Sequence, residues 1–190
     1  MDYTILTFPR CGSNYLHELI TRRLRDPNNL NEKIDLLKTH VISEVKTNKV
    51  ISIIRSPYES MNSLVTLVLT FPDKFKVIPD PSNESIYRFP HNDYIEIYKY
   101  IINNENILID YNDLISRPDE VMSFLAKKLN LEFLNSPYIN YLFDSKEHLV
   151  SSTSSPLYNN INYSKHSPGH FDMLECKYQY NKALKECILK

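Results

Sequence analysis

The stretch YTILTFPRCGSNYLHELI, residues 3–20, decides the fold, because it passes from a strand pattern through a turn into a helix pattern. Tyr3 to Phe8 is a short apolar run containing Thr and Ile, which is typical of a β-strand. From Tyr15 onward apolar residues recur at helical spacing, and we expect Asp26-Pro27 to end that helix. The chain therefore opens with a strand, a glycine-containing turn and a helix.

The turn at residues 8–14 has the composition of an anion-binding site. A helix that starts directly after a buried strand presents backbone N–H groups at the positive end of its dipole. Gly12 lets the backbone approach an anion closely, and the Arg10 guanidinium and the Ser13 hydroxyl add donors. The same residues also fit an ordinary strand–helix turn with a surface arginine. The turn is not a Walker A loop, because no G-x-x-x-x-G-K-[ST] sequence is present.

Strand and helix patterns alternate along the chain and predict one three-layer α/β/α domain with a central parallel sheet, residues 1–190. KVISII, residues 49–54, is a continuous apolar run of the kind that strands buried on both faces of a parallel sheet show. Ile34–Leu37 and Ile107–Asp110 are the other strand candidates. Helices are predicted after Pro57, around Tyr94 to Ile101, after Pro118 and over 171–189, and loops over 71–90 and 151–169.

Composition argues against several classes of protein. The 190 residues carry 22 basic and 23 acidic side chains, so bulk charge indicates no nucleic-acid or membrane partner. Three cysteines at no metal-like spacing argue against a disulfide framework or a zinc site and favour a reducing compartment. We see no signal peptide, and the longest apolar run is too short to span a bilayer. We expect a cytoplasmic protein that needs no metal.

Polar side chains follow the other predicted strands, at the sheet edge where ligands of open α/β sheets bind. Arg55 ends the KVISII strand, and Ser63 lies eight residues later on the next helix. His40, at the end of the segment LLKTH, can act as a general base near neutral pH. Tyr111 follows the last strand, where its ring could stack on a base. Each of these residues also fits a structural or surface role when it is considered alone.

Taken together, four segments make the chain resemble the sulfotransferases that use 3′-phosphoadenosine-5′-phosphosulfate (PAPS). FPRCGSNYL (8–16) resembles the family's 5′-phosphosulfate loop, P-[KR]-S-G-[ST]-[ST]-x-L, and LLKTH (36–40) is similar to its K-T-H segment. VISIIRSPYESMNSL (50–64) resembles its 3′-phosphate motif, a buried strand followed by R-x-P and a later Ser. ILIDYNDLISRPDEVMSFLAKKLNL (107–131) is similar to its Y-E-D-L segment. All four stand in the family's order, and the resemblance implies the P-loop sulfotransferase fold.

The resemblance implies how the donor nucleotide is held. Arg10 and the backbone of residues 12–15 would hold the 5′-phosphosulfate, and Arg55 with Ser63 would hold the 3′-phosphate. Tyr111 would stack against the adenine. The implied binding set is Arg10, Cys11, Gly12, Ser13, Asn14, Tyr15, Arg55, Ser63, Tyr111 and, from a loop near the C-terminus, Lys165.

The resemblance also implies the chemistry. His40 would take the proton from an acceptor hydroxyl or amine as the acceptor attacks sulfur in line. Lys38 and Arg10 would stabilise charge on the sulfuryl group and on the leaving phosphate. In one branch of the family the base is a Glu after the first helix, so Glu32 is the alternative base. The sequence leaves open the oligomeric state and whether the acceptor is a small molecule, a sugar or a peptide.

Two other functions share parts of this pattern. A P-loop kinase-like phosphotransferase would have the same fold and a similar turn, but the chain lacks the Walker lysine and an acidic metal residue after a buried strand. A degenerate family member would bind PAPS, or its desulfated product 3′-phosphoadenosine-5′-phosphate (PAP), and catalyse nothing.

Overall fold

Four parallel strands form the central sheet of the computed structural model, which describes residues 3–29, 34–70, 91–104, 106–134 and 170–189. In chain order, the strands of the described residues, including two outside this sheet, are β1 (Tyr3–Leu6), β2 (Leu24–Arg25), β3 (Leu36–Thr39), β4 (Val50–Ile54), β5 (Ile107–Asp110) and β6 (Glu132–Phe133). The order across the central sheet is β3, β1, β4, β5, and β2 pairs with β6 in a separate antiparallel ribbon.

The two central strands are apolar because both of their faces are covered. Every residue of β1 and of β4 is buried, as expected for parallel strands between two helical layers. The register sets Thr4 opposite Val50 and Ile5 opposite Ile51. The predicted KVISII strand and the predicted strand at Ile107–Asp110 are both confirmed.

Helices cover the sheet in two groups. They are α1 (Ser13–Arg23), α2 (Pro57–Thr70), α3 (His91–Asn103), α4 (Tyr111–Ser116), α5 (Pro118–Leu129) and α6 (His170–Lys185), with a 3-10 turn at Ile42–Glu44. Helix α1 contacts β1, β3 and α5, whereas α6 contacts β4, β5, α2 and α3. The predicted three-layer α/β fold with a central parallel sheet is confirmed. No helix in the described ranges is long and apolar enough to cross a membrane.

Several element boundaries differ from the prediction. Strand β3 spans Leu36–Thr39 rather than Ile34–Leu37, and its exposed Lys38 interrupts the apolar pattern on which the prediction rested. The first helix ends at Arg23, and Leu24 pairs with Phe133 instead of extending it. A two-residue strand is too short to leave a periodic pattern in the sequence. The predicted loops at 71–90 and 151–169 lie outside the described residues.

Candidate functional site

The predicted site residues meet where the strand order reverses. The chain leaves β1 for β3 on one side and later returns to β4 on the other side of β1. The turns that follow β1 and β4 therefore lie side by side at the carboxyl edge of the sheet, the usual ligand crevice of open α/β sheets. One of these turns contains Arg10 and Gly12, and the other contains Arg55.

The turn after β1 has the backbone geometry of an anion cradle. Arg10 and Gly12 both adopt positive φ, 67° and 93°, and the positive φ at Arg10 is uncommon for a residue with a side chain. The first intrahelical hydrogen bond runs from the Leu16 N–H to the Gly12 carbonyl (3.0 Å), so the N–H groups before Leu16 have no acceptor within the helix. The first turn of α1 contains no acidic residue. Its positive end therefore stays available to an external anion.

Three polar side chains from separate segments join beside this cradle. The Arg10 Nε–H donates to the Ser63 hydroxyl oxygen (3.0 Å), which links the turn after β1 to α2. The Arg55 Nη1–H donates to the Arg10 carbonyl oxygen (2.8 Å), which links the end of β4 to the same turn. Arg55 is only 11% exposed and also pairs with Glu59 (3.4 Å). The structure thus brings together Arg10, Arg55 and Ser63, as the sequence predicted.

The ring of Tyr111 lies against Arg55 and Gly12. The Arg55 guanidinium lies 4.1 Å from the centre of the ring, within the range of a cation–π contact. A Cβ added to Gly12 would lie 3.1 Å and 3.2 Å from two atoms of the same ring. Gly12 therefore has two local reasons to be glycine, its positive φ and the closeness of Tyr111. The predicted stacking of Tyr111 on an adenine stays a prediction.

Two buried tyrosines of α3 hold the backbone of Arg55. The Tyr98 hydroxyl accepts the Arg55 N–H (2.8 Å) and donates to the Arg55 carbonyl oxygen (2.9 Å). The Tyr94 hydroxyl donates to the same carbonyl oxygen (2.8 Å). Sequence reasoning missed both roles, because the spacing of Tyr94 and Tyr98 marks them only as part of the apolar face of a helix.

His40 lies at the carboxyl end of β3 with its ring orientation fixed by the neighbouring strand. Its Nδ1–H donates to the Thr7 carbonyl oxygen (2.7 Å). A carbonyl oxygen can only accept, so the neutral ring has its proton on Nδ1 and a lone pair on Nε2. His40 is exposed, which leaves Nε2 able to take a proton from a substrate. Like Tyr94 and Tyr98, Thr7 is a residue whose role the sequence prediction missed.

Lys38 and Asn14 form the flank of the site next to His40. The Lys38 ammonium donates to the side-chain oxygen of Asn14 in the first turn of α1. Both side chains are exposed. Lys38 therefore lies at the start of α1, on the β3 side of the cradle, and its predicted role toward the sulfuryl group stays a prediction.

The side chains of Cys11, Ser13 and Tyr15 point into the protein interior. All three are buried, and the Cys11 thiol contacts the Ser60 hydroxyl (3.5 Å). Burial raises the pKa of this thiol to about 11. The Cys11 N–H already donates to the Phe8 carbonyl oxygen (3.4 Å), so Cys11 supports the turn from inside. Glu32 and Lys165 lie outside the described residues.

Comparison with known proteins finds similarity among solved structures and none in sequence. No protein-family model matches the chain, and no curated protein matches it in sequence. Among solved structures the chain is similar to mouse sulfotransferase SULT7A1 complexed with PAP, with 14% identity and a TM-score of 0.49 over 100% of this chain and 85% of that one. A similarity at this level carries no argument about activity, so the functional conclusion depends on the residues of this chain.

Proposed function

We propose that this protein is a sulfotransferase that moves a sulfuryl group from PAPS to a hydroxyl or amine acceptor. The observation that carries the proposal is the hydrogen-bonded group of Arg10, Ser63 and Arg55 beside the open start of α1. It combines a helix N-terminus with two guanidinium groups and a hydroxyl, a donor set suited to an anion with two separated phosphates.

The order of donors along the site supports PAPS in particular. The helix start and Lys38 would hold the 5′-phosphosulfate, while Ser63 and Arg55 would hold the 3′-phosphate. Because Arg10 donates to Ser63, its guanidinium lies between the two ends and can serve both. The same bond occupies a lone pair of the Ser63 oxygen, which leaves the hydroxyl proton to donate to a phosphate oxygen.

His40 supplies the base in this proposal. An acceptor oxygen or nitrogen would attack sulfur, forming a new bond to sulfur as the bond from sulfur to the 5′-phosphate oxygen breaks. The acceptor's proton would pass to His40 Nε2, and the Nδ1–H bond to Thr7 would orient the ring and stabilise the imidazolium that forms. Lys38 would stabilise charge on the leaving phosphate. As in phosphoryl transfer, positioning and charge stabilisation account for most of the work.

Calorimetric titration with PAP tests the nucleotide site, with adenosine 5′-phosphate (AMP) and with ATP plus magnesium as comparison ligands. We expect PAP to bind without metal and more tightly than AMP. Arg55→Ala should weaken PAP binding about 10- to 150-fold, which corresponds to the roughly 1.5–3 kcal/mol of a hydrogen bond to a charged group. The matched control is Arg22→Ala, which removes an exposed arginine of α1 that pairs with Glu18 of the same helix. It should leave PAP affinity unchanged.

The outcomes separate the alternatives. Preference for ATP with magnesium would favour a kinase-like phosphotransferase, and equal binding of PAP and AMP would reject the 3′-phosphate assignment. Tight PAP binding justifies a screen of sugar, phenol and peptide acceptors with labelled PAPS. PAP binding without transfer to any acceptor, and without slow transfer to water, would favour a non-catalytic binding protein.

A further inference from the structure

The tyrosine pair of α3 carries an inference beyond the proposed roles. Arg55 lies in a two-residue link between the end of β4 at Ile54 and the start of α2 at Pro57. The parallel ladder ends at the pair Ile54–Asp110, so the N–H and carbonyl groups of Arg55 need partners from outside the sheet. The hydroxyls of Tyr94 and Tyr98 provide them.

Burying the hydroxyls of Tyr94 and Tyr98 carries a desolvation penalty. Both tyrosines have 0% exposure, and their rings are stacked with a centroid distance of 4.1 Å. A pair of phenylalanines would fill the same space without placing two polar groups in the interior, and a buried hydroxyl is unfavourable unless it is hydrogen-bonded. Burial raises the pKa of both hydroxyls, so they keep the protons that they donate.

The same pair also contacts the other half of the site. The ring of Tyr94 packs edge-on against Phe8 (5.1 Å between centroids), just before the turn that contains Arg10. The pair therefore contacts the chain at both turns of the crevice, after β1 and after β4. Packing of this kind pre-organises a site before any ligand binds.

We propose that Tyr94 and Tyr98 are positioning residues that set the direction of the Arg55 guanidinium and thereby create the selectivity for a 3′-phosphate. Both tyrosines are fully buried, so the proposal gives them no contact with the nucleotide. They act through the Arg55 peptide, whose orientation determines where the side chain leaves the backbone. The inference rests on the proposed function, because it assumes that Arg55 binds the 3′-phosphate.

Calorimetry with PAP and with AMP tests this role in wild-type protein and in Tyr98→Phe. AMP lacks the 3′-phosphate, so it reports any general damage to the nucleotide site. We expect Tyr98→Phe to lose about tenfold in PAP affinity and to keep its AMP affinity within about twofold. Tyr3→Phe is the matched control, because Tyr3 is also buried and donates its hydroxyl to a backbone carbonyl, that of Leu129, at the amino edge of the sheet. It should change neither affinity.

The control arms keep the outcomes distinct. A wild-type protein without preference for PAP over AMP overturns the proposed function and this role with it. A wild-type preference that Tyr98→Phe retains in full, or an equal loss for both ligands, overturns the positioning role alone. If Tyr98→Phe does not fold, Tyr94→Phe replaces it, because Tyr98 then still binds both backbone groups of Arg55. We expect Tyr94→Phe to lose about threefold in PAP affinity and nothing in AMP affinity. If PAP affinity does not fall more than AMP affinity, the positioning role is refuted.

Discussion

Gly12→Ala probes the packing of the cradle more directly than any other substitution. Glycine allows φ of +93° at this position, and alanine in this left-handed region costs about 1–2 kcal/mol. The new methyl carbon would also lie 3.1 Å from the Tyr111 ring. That ring is half-buried and has the Arg55 guanidinium over one face, so a shift away from the methyl group would disturb this contact.

The backbone penalty and the contact with the ring can be measured separately. Forcing an extra methyl group into a packed site costs about 1–3 kcal/mol, so the whole substitution should lower the free energy of unfolding by about 2–5 kcal/mol. Asn130→Ala is a comparison at a second left-handed position, the C-cap of α5 with φ of 56°, where the residue already carries a Cβ and only the preference of asparagine for this conformation is lost. We expect Asn130→Ala to cost no more than about 1 kcal/mol.

Urea unfolding of four proteins isolates the ring contact: wild type, Gly12→Ala, Tyr111→Ala and the double variant. In the Tyr111→Ala background the methyl group meets no ring, so Gly12→Ala should cost only its backbone penalty of about 1–2 kcal/mol. The coupling energy of the cycle should then be about 1–3 kcal/mol. Strictly additive losses would refute the contact with Tyr111. A Gly12→Ala protein within about 0.5 kcal/mol of wild type would refute both parts of the reasoning.

Two further predictions concern titratable groups. His40→Ala should slow PAPS turnover by roughly 100- to 10,000-fold, the usual contribution of a general base, and leave PAP affinity within about twofold. Full turnover in that variant would move the role of base to Glu32. Burial raises the pKa of Cys11 from 9.0 to about 11, so the folded state favours the neutral thiol. The contribution of this thiol to the free energy of unfolding is fully present below pH 9. It is lost as the pH rises through 11, and the total loss is about 2–3 kcal/mol. Urea unfolding of Cys11→Ala should therefore show a shallower loss of stability over this range than wild type, and parallel pH profiles would contradict the assignment.

Most of the sheet could be predicted because buried parallel strands leave a strong pattern. The apolar runs that became β1, β4 and β5 need no tertiary information, since both faces of each strand are covered. Strand β3 was placed two residues early because an edge strand tolerates a charged residue such as Lys38. The ribbon of β2 and β6 was missed because two residues cannot show a period.

The site could be predicted as a set of residues but not as a network. Parallel strands bring their carboxyl ends to one edge, so residues that follow β1, β3 and β4 had to be neighbours. The bond from Arg10 to Ser63 depends on how α2 is rotated about its axis, and no local pattern encodes that rotation. The contacts of Tyr98 with Arg55 depend on how α3 packs on the sheet. Both features are tertiary and had to come from the structure.

The position of His40 follows from the same sheet that positions the anion cradle. The Thr7 N–H donates to the Thr39 carbonyl oxygen (3.3 Å), and the Thr7 carbonyl oxygen accepts from His40 Nδ1 (2.7 Å). The first bond continues the pairing of β1 with β3 by one residue past the end of the strands, and the second attaches the His40 side chain to the same residue. Thr7 lies only three residues before Arg10, so one side-chain hydrogen bond and a short turn connect the base to the cradle. In the proposed reaction this geometry is the main requirement, because in-line transfer needs the base, the sulfur and the leaving oxygen held in one arrangement.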